Sequence, residues 1–249
     1  MLSNCFRLPL RILAWEAWAG PSLSDREAWR EWASSDREWS DTLTHTAPVS
    51  AMPPILRRRA DAADRLGLEV AFRLAPPGND LPCVFASRHG QVARSVAMLR
   101  AQAEEELASP MDFSLSVHNA AAGQFSIAKG DRSMSSSLSS RGESFTAALL
   151  EAQGMVLEGH DRVLVVMSDP VPPSALDGHW DREPGGYALG LELGASGGEE
   201  FELSLWETQS EPDRETVPPQ ALVFLKMWAG NGKSASWRRG TRRWDWVRP

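Results

Sequence analysis

The residues of this chain that could carry covalent chemistry are two cysteines and one serine–lysine pair. Cys5 lies near the N-terminus, and Cys83 falls in a short apolar run, where a cysteine is usually an inert, buried hydrophobe. Ser126 and Lys129 have the spacing found in penicillin-binding enzymes, but the companion motifs of those enzymes are missing from the sequence. We therefore interpret the Ser126–Lys129 match as chance and expect Cys83 to be structural.

Patterns for metal and phosphate binding are equally weak. The five histidines are scattered along the chain without the close spacing of a zinc site. Gly230–Ser234 has the composition of the end of a phosphate-binding loop, but the first glycine of that motif would fall at Met227. The sequence therefore predicts neither a metal site nor a cofactor.

Composition narrows the class of protein. With 249 residues, 42% of them hydrophobic and 24% charged, the chain can form one large domain with a substantial core. A net charge of −7 argues against general nucleic-acid binding. No apolar run approaches the roughly 20 residues that span a bilayer, and residues 1–15 lack the pattern of a signal peptide. We expect a cytoplasmic protein without stable membrane insertion.

Helices and strands are predicted to alternate, which indicates an α/β fold with helices on both faces of a mixed sheet. Strands are predicted at Ile12–Ala19, Leu81–Ala86, the serine-rich Met134–Ser140, and Val163–Met167. Helices are predicted at Ser24–Trp32, Ile55–Leu74, Val92–Leu107, Phe113–Ala128, Phe145–Leu157 and Gln220–Trp228.

The last third of the chain has a different pattern. Tyr187–Leu193 and Phe201–Trp206 are predicted to form an antiparallel pair joined by a glycine-rich loop. The Pro- and Gly-rich stretch 168–186 is interpreted as an insertion within a single domain covering residues 1–249, and residues 233–249 as a basic, Trp-rich tail.

One long segment carries a family resemblance. Ser109–Ile127 resembles the part of β-ketoacyl synthases that begins Ser-Pro and runs into an Asn-Met-x-x-Gly helix. It is more similar still to the short synthase-like proteins described as chain-length factors of aryl-polyene (xanthomonadin-type) pigment synthesis. Ala86–Gly90, Arg57–Arg59 and the Trp-rich ends fit the same subfamily. The resemblance implies half of a thiolase-like fold, with a mixed, mostly parallel sheet and helices on both faces.

The resemblance also locates the chemistry that is missing. Active synthases carry a cysteine on a sharp turn between a strand and a helix, where the helix dipole lowers the thiol pKa. The corresponding turn here is Arg141-Gly142-Glu143, and by count Gly142, within one residue, takes the cysteine's place. The family's two catalytic histidines come from a second half of the fold, which we expect this chain to lack. It is therefore expected to be a non-catalytic subunit.

Such a subunit is expected to pair with a cysteine-bearing ketosynthase and to meet the acyl carrier protein through that partner. Val117–Ile127 and Met134–Ser140 would form the heterodimer contact. The small residues Ala120–Ala122 would leave room for the acyl chain, although they could equally serve tight helix packing. The side chain of Phe113, Phe125 or Met134 would close the tunnel. The residues assigned to the interface or tunnel are Phe113, Val117, His118, Asn119, Ala120, Ala121, Ala122, Gly123, Phe125, Met134 and Ser137.

Two alternatives remain open at this point. The basic tail could dock an acidic carrier protein, but we favour tryptophans that pack on the domain and arginines that face water. The chain could instead be a homodimeric scaffold, or a stand-alone acyl-thioester hydrolase or acyltransferase that uses a serine such as Ser139 or Ser140, or His89. No histidine is placed by the sequence to act as a base for these serines.

Overall fold

The fold is built around one sheet. The computed structural model describes residues 3–39, 45–104, 107, 109–176, 184–207 and 218–249, with the side chains of residues 3–5 not described. These residues contain eight strands: β1 Ser3–Trp18, β2 Cys83–Ala86, β3 Ser135–Leu138, β4 Arg162–Asp169, β5 Tyr187–Gly194, β6 Glu199–Glu207, β7 Ser234–Arg239 and β8 Arg242–Val247.

Eight helices accompany the strands in the described part of the chain. They are α1 Arg26–Ala33, α2 Pro54–Arg57, α3 Ala62–Leu74, α4 Val92–Ala103, α5 Pro110–Ser114, α6 Ala120–Lys129, α7 Ser144–Leu157 and α8 Gln220–Ala229.

The strand order is β3-β2-β4-β5-β1-β6-β8-β7. The predicted mixed sheet is confirmed, but it is not mostly parallel. Among the described strands only β2 pairs in parallel, with β3 and with β4, and the other five pairings are antiparallel. The parallel part consists of β2, β3 and β4, which are connected through helices, as parallel pairing requires.

The long strand β1 corrects one prediction. β5 and β6 were expected to pair with each other, but β1 lies between them and pairs with both. Residues 12–18 of β1 pair with β5, and residues 3–12 pair with β6, so Ile12 is shared. Alternating apolar residues identified β5 and β6 as strands, but alternation does not specify which neighbour a strand takes.

Apolar residues cover both faces of the sheet, as predicted. One core cluster contains buried residues of α1, α7 and α8, and the other contains buried residues of α3 and α6. The two clusters meet the opposite faces of β4, where alternate residues Val163 and Val165 lie in the first cluster and Leu164 and Val166 in the second.

Two predicted helices are each divided. The segment Ile55–Leu74 contains α2 and α3, because the Asp61 carboxylate accepts the backbone N–H of Asp64 at 2.9 Å and starts a new helix. The segment Phe113–Ala128 contains the end of α5 and all of α6 except its last residue. Ser114 and Ser116 hydroxyls donate to carbonyls three residues back, each at 2.8 Å, and such local bonds compete with helix continuation.

The C-terminal strands continue the sheet beyond β6 and reach the start of α7. Residues 234–239 and 242–247 form a hairpin, and its tryptophans Trp237, Trp244 and Trp246 are all buried. The ring of Trp246 lies 6.4 Å from that of Phe145 on α7 and 5.9 Å from that of Phe224 on α8. The interpretation that these tryptophans pack on the domain is confirmed.

Within the stretch 168–186, which the sequence predicts to be an insertion, residues 177–183 lie outside the described residues.

Phe145 tests the packing between α7 and the hairpin. Its side chain is fully buried between Phe224 and Trp246, at 5.1 and 6.4 Å between ring centroids. Phe145→Leu should lower the free energy of unfolding by about 1–2 kcal/mol, because the smaller side chain leaves a partly filled cavity. Denaturant unfolding measures this loss. Leu157→Ala, at an exposed position of the same helix, should change stability by less than about 0.5 kcal/mol.

Candidate functional site

The turn between β3 and α7 lies where the sequence placed it. Glu143 N–H donates to the Ser140 carbonyl at 3.0 Å, and Ser144 N–H donates to the Arg141 carbonyl at 3.2 Å. The Ser144 hydroxyl, fully buried, also donates to the Arg141 carbonyl at 2.6 Å. Arg141 has a φ of 51°, a left-handed conformation that is costly for a residue with a Cβ. These bonds hold a sharp turn at the start of the helix.

No thiol lies at this turn. Arg141 is exposed and Gly142 is buried, while Glu143 pairs with Arg242 of β8 at 2.8 Å. Cys83, at the start of β2, is buried, and burial raises the pKa of its thiol to about 12. A thiol with this pKa is protonated at neutral pH and is a poor nucleophile.

A buried ion pair between Arg88 and Asp169 joins the carboxyl ends of β2 and β4. The Asp169 carboxylate accepts from Arg88 Nε at 2.7 Å, from the Arg88 backbone N–H at 2.8 Å and from the Tyr187 hydroxyl at 3.0 Å. Both side chains are almost completely buried. The Ser139 hydroxyl donates to the Arg88 carbonyl at 2.8 Å, which ties the ion pair to the strand end that precedes the turn.

Sequence reasoning assigned no role to Arg88 or Asp169. The sequence did contain a signal that these two residues lie close together. Each of them follows an apolar run predicted to be a buried strand, and the carboxyl ends of neighbouring parallel strands meet at one edge of a sheet. Next to this pair, burial and the charge of Arg88 lower the pKa of His89 to about 4. His89 is therefore neutral at physiological pH.

The helix α6 divides the residues assigned to the interface. Asn119, Gly123 and Ile127 are exposed on one face, and a Cβ added to Gly123 would meet no atom within 4 Å. Ala120 and Ala122 are buried on the other faces of the helix. One side of α6 is therefore open to another chain, and the alanines serve in part to pack the helix on its own domain.

Phe125 does not lie on the open side of α6. Its ring is 2% exposed and packs 5.0 Å from Phe72 and 5.7 Å from Phe85. Phe125 therefore packs in the core of its own domain, because a residue two positions from the exposed Gly123 and Ile127 lies on the opposite side of the helix. Phe113 and Met134, the other two side chains considered, are 68% and 44% exposed.

A small cavity lies behind the open side of α6. His118 and Ala121 line it together with Ser87 and Gly90 of the loop after β2. His118 Nε2 lies 2.7 Å from the Leu138 carbonyl at the end of β3, and because a carbonyl can only accept, this nitrogen carries a proton and donates it. His118 thus links α6 to β3. Ser137, on β3, is half-buried and pairs with Phe85 of β2.

Large exposed apolar side chains concentrate around α4, α5, α6 and β3. Of the eleven such side chains among the described residues, seven fall between positions 99 and 134. Large apolar side chains that are exposed together mark interaction sites. We call these seven the apolar surface: Leu99, Leu107, Met111, Phe113, Val117, Ile127 and Met134.

The strand next to this surface has an open edge. Within the described residues β3 pairs with β2 alone, so its other edge presents unpaired backbone groups. The described helices include none long and apolar enough to cross a membrane. The described side chains likewise include no group of three or more His, Cys, Asp or Glu that could hold a metal ion.

A buried carboxyl group lies beneath α6. Asp64 of α3 is fully buried and accepts from Gln91 Nε2 at 2.6 Å and from Gln124 Nε2 at 2.7 Å. Burial, reinforced by the charge of Asp61, raises the pKa of Asp64 to about 6 from an ordinary 3.8. The hydrogen bond from Gln124 and the charge of Arg94 oppose this rise. Asp64 therefore binds a proton more tightly in the folded protein than in the unfolded chain.

This raised pKa predicts a pH dependence of stability. Between pH 4 and 6 the folded state keeps a proton on Asp64 that the unfolded chain has lost. The contribution of this proton to the free energy of unfolding is therefore complete below pH 4 and disappears as the pH rises through 6. The wild type should lose about 3 kcal/mol of stability across this range, and Asp64→Asn should not show this loss. Urea unfolding from pH 4 to 7 measures the change. Parallel curves for the wild type and the variant would contradict it.

Comparisons with known proteins agree with this geometry. Residues 29–247 match the family described as beta-ketoacyl synthase, N-terminal domain. A chain in the structure of the ketosynthase (ApeO) in complex with its chain length factor (ApeC) from Xenorhabdus doucetiae is 26% identical. The match covers 97% of this chain and 100% of that one, with a TM-score of 0.84. Comparison with curated proteins gives no match.

Two further structures show the fold alone. The ishigamide ketosynthase/chain length factor is 14% identical, with 90% of this chain and 74% of that chain covered and a TM-score of 0.62. AntDE:AntF, a type II PKS acyl-carrier protein in complex with its ketosynthase bound to the hexaketide, is 16% identical. It covers 76% of this chain and 64% of that one, with a TM-score of 0.57.

The sequence resemblance is therefore confirmed, and the sheet with its two helical layers has the thiolase-like ketosynthase fold. Because the family match extends over most of its length, this chain belongs to the family of the β-ketoacyl synthase N-terminal domain.

Proposed function

We propose that this chain is a non-catalytic, chain-length-factor-like partner of a β-ketoacyl-ACP synthase. It forms a heterodimer with the synthase and shapes the tunnel for the growing acyl or polyene chain. The setting would be aryl-polyene synthesis or a related type II polyketide or fatty acid pathway. The observation that supports the proposal is the sharp turn between β3 and α7, which lies between a strand and a helix as a nucleophile turn would but contains no cysteine.

The loss of catalysis follows from the side chains at that turn. Acyl transfer in this family needs a thiolate. Counting assigns the nucleophile's place to Gly142, and the left-handed backbone makes Arg141 the other candidate. Neither side chain can form an acyl thioester, and Glu143 would oppose a thiolate. The buried Cys83 cannot substitute, because its pKa of about 12 keeps it protonated.

The hydroxyl groups of Ser139 and Ser144 do not favour the alternative of a stand-alone hydrolase or acyltransferase. The Ser139 hydroxyl donates to the Arg88 carbonyl, and the Ser144 hydroxyl donates to the Arg141 carbonyl. A serine nucleophile instead donates its proton to a base. His89, with a pKa of about 4, is a weak base at neutral pH.

The partner role is supported by the apolar surface and the open edge of β3. Seven large apolar side chains, an uncovered Gly123 and an unpaired strand edge occur together in residues 99–138. The structure with 26% identity contains a ketosynthase and its chain length factor, and this chain matches one of its chains over the full length. The carrier protein would be engaged through the synthase. His118 and Ala121, at the small cavity, would contribute to the end of the tunnel.

Co-expression with ketosynthases encoded near this gene tests the proposal. We expect a stable 1:1 complex on size exclusion, with condensing activity that depends on the partner's cysteine. Failure to associate with every such synthase would refute the partner role. Turnover of acyl thioesters by the isolated chain would favour the hydrolase or acyltransferase, and an isolated stable dimer would favour the scaffold.

A further inference from the structure

Two helices that carry part of the apolar surface, α4 and α5, have no buried residue. The exposed Leu99 lies on α4, and the exposed Met111 and Phe113 lie on α5. The neighbouring helix α6, in contrast, buries four of its residues. Because hydrophobic stabilisation is roughly proportional to the apolar area removed from water, it contributes little to holding α4 and α5 in place.

Arg94 of α4 makes ion pairs with two other helices. Its Nη2 atom lies 2.9 Å from Asp61 Oδ2 at the start of α3, and its Nη1 atom lies 2.7 Å from Asp112 Oδ1 of α5. A further carboxylate, that of Asp64 on α3, lies 3.7 Å from Nη2. Within the described part of the chain no other ion pair joins α3, α4 and α5. A single guanidinium therefore connects the three helices.

The surroundings of Arg94 suit it to hold helices in position. Its side chain is 11% exposed, so solvent ions screen these pairs less than they screen pairs at the surface. The planar guanidinium has two terminal nitrogens in fixed positions, and here each of them meets a carboxylate from a different helix. The Asp61 carboxylate also accepts the backbone N–H of Asp64 at 2.9 Å, so Arg94 is joined directly to the first turn of α3.

We infer that Arg94 is a positioning residue that docks α4 and α5 on α3 and thereby presents Leu99, Met111 and Phe113 to the synthase. This inference rests on the partner role proposed above and identifies what holds part of the binding surface in place. When the contacts of Arg94 are broken, the two helices leave their docked position in a fraction of the molecules. The synthase then binds the docked fraction, and its apparent affinity falls in proportion to that fraction.

Hydrogen–deuterium exchange of the isolated full chain tests the docking. Arg94→Gln should speed exchange at residues 92–103 and 110–114 and leave β4 and α7 unchanged, because local opening does not require the core to unfold. Arg100→Gln makes the same charge change at an exposed position of α4 and should exchange like the wild type. Unchanged exchange in Arg94→Gln, or an equal increase over the whole chain, would overturn the inference.

Binding kinetics with the synthase test the consequence for the partner. Arg94→Gln should weaken binding about tenfold or more, as the loss of charge-assisted hydrogen bonds does. The loss should appear as slower association, with a dissociation rate within about twofold of the wild type, because docking precedes binding. Asp112→Asn removes the contact with α5 alone, where the carboxylate is 45% exposed, and should cause a smaller loss of the same kind.

The outcomes separate this inference from the partner role. If the wild type binds a synthase and Arg94→Gln binds it equally well, the inference is wrong and the partner role stands. An equal loss of affinity in Arg100→Gln would show an effect of charge on α4 and would also overturn the inference. If the wild type binds no synthase, the partner role is wrong, and the presentation of these helices to a synthase falls with it. The exchange measurement then still decides whether Arg94 docks α4 and α5.

Discussion

Replacing Phe113 and Ile127 by glutamate should abolish association with the ketosynthase partner. These side chains are 68% and 69% exposed in the isolated chain, so the substitutions cost the monomer little. In the proposed heterodimer each glutamate would be buried without a counter-charge. Two central apolar residues are worth about 2 kcal/mol or more each, so affinity should fall at least about 100-fold. Co-purification and surface plasmon resonance measure the loss.

A matched control lies on the same chain. Leu157 is 74% exposed at the end of α7, outside the apolar surface. Leu157→Glu makes the same chemical change and should leave the complex intact. Equal losses in Leu157→Glu and in the double variant would show that the effect is general charge and not interface burial. An unchanged affinity in the double variant would remove the apolar surface from the heterodimer.

Removing Asp169 should cost about 3–5 kcal/mol of unfolding free energy. The Arg88 side chain is 4% exposed and pairs with the Asp169 carboxylate at 2.7 Å. Asp169→Ala removes this carboxylate from beside the buried guanidinium, and breaking one side of a buried ion pair has a cost of this size. The hydrogen bond from the Tyr187 hydroxyl to Asp169 is lost as well. Urea unfolding of the wild type and the variant measures the difference.

Two controls separate the effect of breaking the Arg88–Asp169 ion pair from the loss of side-chain volume. The double variant Arg88→Met/Asp169→Leu removes both charges and should recover most of the stability. Glu202→Gln breaks an ion pair at the surface, where the side chain of Arg7 is 58% exposed and that of Glu202 is 42% exposed. This substitution should lower the free energy of unfolding by less than about 1 kcal/mol. A double variant as unstable as Asp169→Ala would mean that packing, and not charge, dominates.

Local signals in the sequence predicted most of the helices and strands. Asp25 caps α1 by accepting the N–H groups of Glu27 and Ala28, both at 3.0 Å, and its position before an apolar periodic run identified that helix. The apolar run Val163–Met167 identified β4 in the same way. The breaks before α3 and α6 were missed because single side chains, Asp61 and Ser116, decide them.

Contacts between distant residues could not be predicted in this way. Arg88 and Asp169 lie 81 residues apart, and only the pairing of β2 with β4 brings them together. The turn at residues 141–143 was located by its resemblance to a family, because three residues of this composition have no signature of their own. The ion pair between Glu143 and Arg242 depends on the path of the last 30 residues, which composition alone described as a basic tail.

The position of β1 also determines when this protein can fold. Ser3 pairs with Glu207, and Ile12 pairs with both Glu199 and Leu193. During synthesis the first strand therefore has to wait until about 200 further residues have left the ribosome, which takes roughly 10–40 s at ordinary translation rates. For that interval a 16-residue strand with both edges unpaired is exposed to aggregation. We therefore expect nascent chains to depend on chaperones until the C-terminal third emerges.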